Sequence, residues 1–232
     1  MRKPYLRKFD QIAGIAVWIV DGYYVRRNID IDFNNFGQHY RFKFIPVNEF
    51  WLDRQEAFGE ERYFIEHLIV ERRLMSQGKN YNDALEASDQ VEQKMREKDE
   101  KVKELKEKLQ TDRETFLKKI RKELLLPYSN EEIKTYIINS FLVRSLLYID
   151  WVAGGHDKVY DFVPKNEVWI DNDITADERK YVILHELHER YRMLQGLKYN
   201  EAHESALKIE NYCYKNPKEL NQKIREELER QT

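Results

Sequence analysis

The chain has 232 residues, 41% hydrophobic and 13% aromatic, enough apolar material for a packed core, which excludes a disordered polymer. Its 40 Lys+Arg against 42 Asp+Glu leave a formal net charge of -2, so no global field favours a polyanion and dedicated nucleic-acid binding is unsupported. The single cysteine, Cys213, excludes an intrachain disulfide and a thiolate-built zinc site, suits a reducing compartment, and leaves His, Asp and Glu to hold any metal.

In chain order, the basic stretch Met1 to Lys8 followed by the apolar run Ile12 to Val20 imitates a secretory signal. Asp21 closes the run without a small-residue cleavage site, and nine residues are too few to span a bilayer. A cytoplasmic protein without membrane association is expected, its opening helix containing Ile12 to Val20.

An internal repeat organises most of the chain. Shifted by 118 positions, Val25 to Glu92 aligns without gaps on Val143 to Glu210 with 25 identities. Phe44-Ile45-Pro46-Val47-Asn48-Glu49-Phe50-Trp51-Leu52-Asp53 meets Phe162-Val163-Pro164-Lys165-Asn166-Glu167-Val168-Trp169-Ile170-Asp171, and Met75-Ser76-Gln77-Gly78 meets Met193-Leu194-Gln195-Gly196. The chain therefore reads as a first lobe (1–88), a charged connector (89–127) and a second lobe (128–232).

The connector is the core of a longer run. Asn82 to Leu126 contains no Gly or Pro and is dense in Lys and Glu at i,i+4 spacing. A continuous helix there would be roughly 65 Å long. Val91, Met95, Val102, Leu105, Leu109, Phe116, Ile120 and Leu124 form a thin apolar stripe with an imperfect heptad beat. It suits a strut along the protein's own lobes, a homo-oligomeric coiled coil, or a partner-binding arm. Lys118 to Lys122 reads as a solvated face.

Each lobe reads as α-β-β-α-α. In the second, an apolar-patterned helix from about Ile133 to Trp151 ends at Gly154-Gly155. Strands Lys158 to Val163 and Glu167 to Ile170 follow, joined through Pro164-Lys165-Asn166 as a hairpin. Asp173 or Thr175 caps a helix running to Gly196, and Asn200 caps a last helix ending near Asn216-Pro217.

Four of the six histidines, His156, His185, His188 and His203, lie in the second lobe. In Leu184-His185-Glu186-Leu187-His188-Glu189-Arg190, His185 and Glu189 at i and i+4 share a helix face and suit one cation, with Glu186 beside them. His188 points about 100° away from His185 and reads as an outer or surface residue. A third ligand must come from the last helix. His203 has the better ligand chemistry, whereas simple antiparallel geometry puts Glu210 level with His185; both remain candidates. His156 reads as a loop residue or a gate to the site.

The first lobe repeats part of this face. His67, Glu71, Arg72 and Glu92 match His185, Glu189, Arg190 and Glu210, but Leu68, Val70 and Leu85 replace Glu186, His188 and His203. The retained His-x-x-x-Glu-Arg face equally suits a hydrogen-bonded ion pair that locks helix to hairpin without metal. No Gly-rich phosphate loop or Gly-x-Ser-x-Gly elbow is present, so nucleotide chemistry is not expected, and Cys213 reads as a buried spectator.

The stretch Leu184-His185-Glu186-Leu187-His188-Glu189, after a hairpin and before a second helix, resembles the zincin-like fold in its minimal gluzincin form, over about residues 131 to 215. The resemblance implies an α+β fold, here as a tandem duplication joined by the charged helix. It also implies a zinc-dependent peptidase acting on a peptide or protein substrate laid along an edge strand. The second lobe would then hold zinc with His185, Glu189 and His203 or Glu210, with Glu186 as general base. Glu189 departs from the family's second histidine, and a carboxylate there makes a weaker Lewis acid. The alternative is a non-enzymatic scaffold protein whose His–Glu faces are structural.

Overall fold

The computed structural model describes residues 4–55, 57–109 and 113–231. The chain divides into two compact units, Met1–Asp112 with Phe141–Asp150, and Arg113–Ser140 with Trp151–Thr232. These boundaries differ from the lobe–connector–lobe division of the sequence. The connector is shared between the units, and a short segment of the second repeat belongs to the first unit.

The first unit opens with strands β1 (Tyr5–Ile12) and β2 (Ile15–Val20), an antiparallel hairpin turning through Ala13 and Gly14, both at positive φ. The expected opening helix at Ile12 to Val20 is thus a strand. Its Val, Ile and Trp content suits a pleated sheet, and short apolar runs do not separate helix from strand by periodicity. Asp21 caps α1 (Gly22–Asn28) by accepting the Tyr24 N–H at 3.1 Å. Gly22 lets that helix approach Asp53, since any Cβ there would run into the Asp53 carboxylate.

β3 (Phe36–Gln38) and β4 (Glu49–Asp53) complete a four-stranded sheet in the order β1-β2-β4-β3, with β2 and β4 parallel. Val17, Ile19, Phe50 and Leu52 pack from it onto Phe64, Ile65 and Leu68 of α2 (Glu61–Ser76). α3 (Tyr81–Lys98) returns along α2 after Gly78, at φ +89.

The long connector helix is broken. α3 ends at Asp99, whose extended backbone (φ -68, ψ 125) and Oδ1, accepting the Lys101 N–H at 2.8 Å, start α4 (Glu100–Leu109). The Asp99 Oδ2 accepts the Tyr63 hydroxyl at 2.7 Å, so the break is anchored to α2. The expected helix also crosses residues 110–112, which lie outside the described residues.

The second unit begins with α5 (Arg113–Ile120) running into β5 (Arg121–Leu124). The basic cluster at 118 to 122 is partly paired: Lys118 with Glu114 at 2.8 Å, and Arg121 with Glu167. β6 (Lys134–Ile138) and α6 (Ser140–Leu146) replace the expected helix of Ile133 to Trp151. α6 belongs to the first unit, where Arg144 pairs with Glu60 and Ser145 accepts from Arg96 at 3.0 Å.

β7 (Gly154–His156) and β8 (Glu167–Asp171) form the second hairpin. Its first strand is the Gly-Gly-His segment, which glycine content disguises; Lys158 to Val163 is turn. The second sheet runs β5-β6-β8-β7, the first sheet's order. Its parallel pairs Lys134↔Glu167 to Ile138↔Asp171 each lie 118 residues beyond Ala16↔Glu49 to Val20↔Asp53.

α7 (Ala176–Leu194), α8 (Tyr199–Lys215) and α9 (Leu220–Glu229) complete the chain. Thr175, one of the two expected caps, caps α7. Lys198 stands at the N-cap of α8, two residues before the expected Asn200. Cys213 is buried and free. No described helix is long and apolar enough to cross a membrane. The whole is a mixed α+β protein.

Candidate metal centre

α7 packs on the second sheet and α8 packs back along α7. Helical spacing places His185 and Glu189 on one face, with His185 Nε2 3.6 Å from Glu189 Oε2. α8 brings His203 to the same point, its Nδ1 2.7 Å from Glu189 Oε2 and 3.1 Å from His185 Nε2. Two imidazole nitrogens and one carboxylate oxygen thus converge. His203 is the most exposed of the three at 37%, and the exposed Tyr199 stacks on it at 5.4 Å, so the cluster meets solvent on that side.

Both candidates for the third position reach His185, at opposite ring nitrogens. Glu210 lies 2.8 Å from Nδ1, away from the converging atoms at Nε2. A carboxylate on the outer nitrogen of an imidazole orients the ring and leaves the inner nitrogen for a metal. Glu210 is therefore placed as an orienting partner, and His203 stands beside Glu189.

These contacts set the charge states. Burial works to lower His185, but hydrogen bonds to Glu189 and Glu210 outweigh it and push the imidazole up to about 10. Burial works to raise Glu189, but His156, His185 and His203 outweigh it and hold the carboxyl well below the usual range. Glu186, buried one residue from His185, is pushed up to about 8 by burial and then by the Glu189 charge.

The same side chain sits against β7. A Cβ at Gly154 would meet Glu186 Cγ at 3.0 Å and Oε1 at 3.1 Å. In the first repeat the corresponding residues are Phe36 and Leu68, and the Phe36 ring packs at a tilt against Phe64 and His67, with centroids 4.6 and 4.8 Å away. Glycine on the strand is thus the counterpart of a carboxylate on the helix.

Two residues have larger roles than the sequence suggested. His156 is fully buried on β7, its Nε2 3.1 Å from Glu189 Oε1. With Glu186 and Glu189 it forms a second grouping of cation-binding size beside that of His185, Glu189 and His203. Burial lowers the His156 imidazole despite the Glu189 carboxylate, favouring its neutral form. A histidine in a Gly-Gly-His strand opposite the helix was the available signal.

His188 is buried as well, between Glu227 of α9 (Nδ1, 3.0 Å) and Ser205 (Nε2, 2.8 Å). This has the order of an acyl-transfer relay, but Ser205 lies within α8, where helix hydrogen bonds consume the backbone N–H groups an oxyanion needs. Its evident work is to dock α9. Arg190 has similar work, binding Asp157, Asn166 and Gln231 at 2.7 to 2.9 Å.

The first repeat keeps the helix face without the converging donors. His67 Nδ1 lies 3.1 Å from Glu92 and its Nε2 3.6 Å from Glu71, as in the second repeat, while Leu68 and Leu85 stand where Glu186 and His203 do. No protein-family model, curated protein or solved structure matches this chain. The functional reading therefore rests on the chemistry of these side chains.

Proposed function

We propose that this protein is a zinc-dependent, peptidase-like hydrolase with one site, in the second repeat, and a first repeat kept for architecture. The observation that carries the reading is the convergence of His185 Nε2, His203 Nδ1 and Glu189 Oε2 at separations of 3.1, 2.7 and 3.6 Å. Ligand atoms bonded to tetrahedral zinc at about 2.0–2.2 Å stand roughly 3.3 Å apart, so the donor set and its spacing fit that ion. Glu210, behind His185, supplies the outer carboxylate such sites use.

Zinc held by these residues supplies Lewis-acid polarisation of a scissile carbonyl and of water. Glu186, buried one residue from His185, would take the proton of the attacking water and deliver it to the leaving amine. β7 lies at the edge of the second sheet beside Glu186 with its three residues buried, so a peptide substrate would reach the site from the solvent-facing side at His203. The 118-residue offset shared by both sheets supports descent of the two repeats from one α+β unit.

Digestion of a mixed peptide library by zinc-loaded protein, with Glu186→Gln as comparison, tests this reading. Wild type is expected to cleave, and the variant to keep its zinc while losing about 10²–10⁴-fold in turnover, the usual worth of a general base. Equal cleavage by both would remove Glu186 from the mechanism.

A second reading applies to the first repeat. There Arg96 takes Glu92 Oε1 at 2.8 Å while His67 holds Oε2, which favours a structural lock for that His–Glu face and a scaffolding role for that unit.

A further inference from the structure

His156 sits within reach of Glu189 and Glu186, and three such side chains invite a second ion. Its other ring nitrogen argues against one. The Lys158 backbone N–H points at His156 Nδ1 at 3.2 Å, so Nδ1 is an acceptor and the ring proton of the neutral imidazole sits on Nε2. Nε2–H then donates to Glu189 Oε1 at 3.1 Å. A cation on Nε2 would force the proton to Nδ1, against the Lys158 N–H.

The first repeat makes the same pair of bonds with a side chain whose polarity leaves no choice of tautomer. Gln38, 118 residues before His156, accepts the Tyr40 N–H through Oε1 at 2.6 Å and donates through Nε2 to Glu71 Oε1 at 2.7 Å. Tyr40 and Glu71 are the counterparts of Lys158 and Glu189. In both repeats a buried donor on the third strand of the sheet grips one oxygen of the helix carboxylate. The other oxygen, Glu189 Oε2, is thereby turned towards His185 and His203.

We propose that His156 is a positioning residue and not a ligand: an Nε2–H donor that fixes the Glu189 carboxylate so that Oε2 faces His185 and His203. The proposal rests on the zinc reading for its consequence, which is one zinc per chain with Glu189 bound through a single oxygen. It also predicts that glutamine, already used at the equivalent place, substitutes for His156.

The test measures zinc affinity and stoichiometry for wild type, His156→Ala and His156→Gln, with the melting temperature of each zinc-free protein as the check on folding. Histidine ¹⁵N–¹H correlation spectra of the zinc-free wild type read the tautomer without any metal. The expected result is one zinc per chain, about 10–100-fold weaker binding in His156→Ala, as for other outer-shell partners, and recovery to within about threefold in His156→Gln. The spectra should show the proton on Nε2. Two zinc ions per chain, His156→Gln binding as weakly as His156→Ala in a folded protein, or a proton on Nδ1 would each overturn the proposal. A wild type that binds no zinc would sink the zinc reading alone. The tautomer would then decide the assignment of His156 as donor, Nε2–H upholding it and Nδ1–H ending it.

Discussion

The two repeats share a sheet, a helix pair and a buried His–Glu face, and differ in what surrounds that face. Around His67 the first repeat places Phe36, Leu68 and Leu85; around His185 the second places Gly154, Glu186 and His203. Glu92 is held by Arg96, whereas the residue matching Arg96 in the second repeat is Tyr214, which stacks on Tyr181 at 4.2 Å. The buried pair recurs in both repeats, whereas the proposed ion site depends on a few residues around it that only the second repeat has. A polar face common to both repeats is weak evidence of chemistry; the donors confined to one repeat are the stronger evidence.

The comparison is broken most severely by giving the second repeat the first repeat's residue. His203→Leu removes one converging donor and is expected to weaken zinc binding by more than about 100-fold, beyond the range for outer-shell partners, with little change in the melting temperature of the zinc-free protein. Isothermal titration with zinc reads the affinity.

The reverse substitution is expected to have a smaller effect. Leu85→His adds to His67 and Glu71 the donor that completes the set, while Gln38 already orients Glu71. A second, weaker zinc per chain is expected, read as stoichiometry by the same titration. No added binding would mean that the Arg96–Glu92 and Asp89 contacts around His67 close that place to a cation.

The smallest effect concerns Asp89, which stands where the second repeat has Leu207. Burial and the neighbouring Asp150 carboxylate push Asp89 up to about 7. The folded state therefore holds a proton that the unfolded chain releases near pH 4, and stability falls as pH rises from about 4 through about 7. Asp89→Asn removes that loss. Its melting temperature should exceed wild type by on the order of 2 °C at pH 8, with the gain fading towards pH 4, as thermal melts across that range would show.

Much of the second repeat was legible in the sequence because its signals are local. Thr175 before Asp177 and Glu178, Gly196 after the apolar periodicity, and the i,i+4 pair of His185 and Glu189 specify α7 and its polar face. Strands β2 and β6 were harder to read, since a short apolar run such as Ile15–Val20 fits a buried helix or a buried strand equally well. The connector reads as continuous because Lys and Glu propensities dominate it, although Asp99 before Glu100 carries an N-cap signal that its hydrogen bond from Tyr63 secures. His156 reads as a loop residue for a different reason. Its role depends on β7 pairing with β8 beneath α7, a long-range arrangement that no local spacing records.

The most direct measurement is the zinc content of untagged protein by elemental mass spectrometry, wild type beside His185→Ala. The account predicts about one zinc per chain in the wild type and none in the variant. No zinc in the wild type, together with a lower melting temperature in the variant, would contradict it and leave the His–Glu face a structural lock in both repeats.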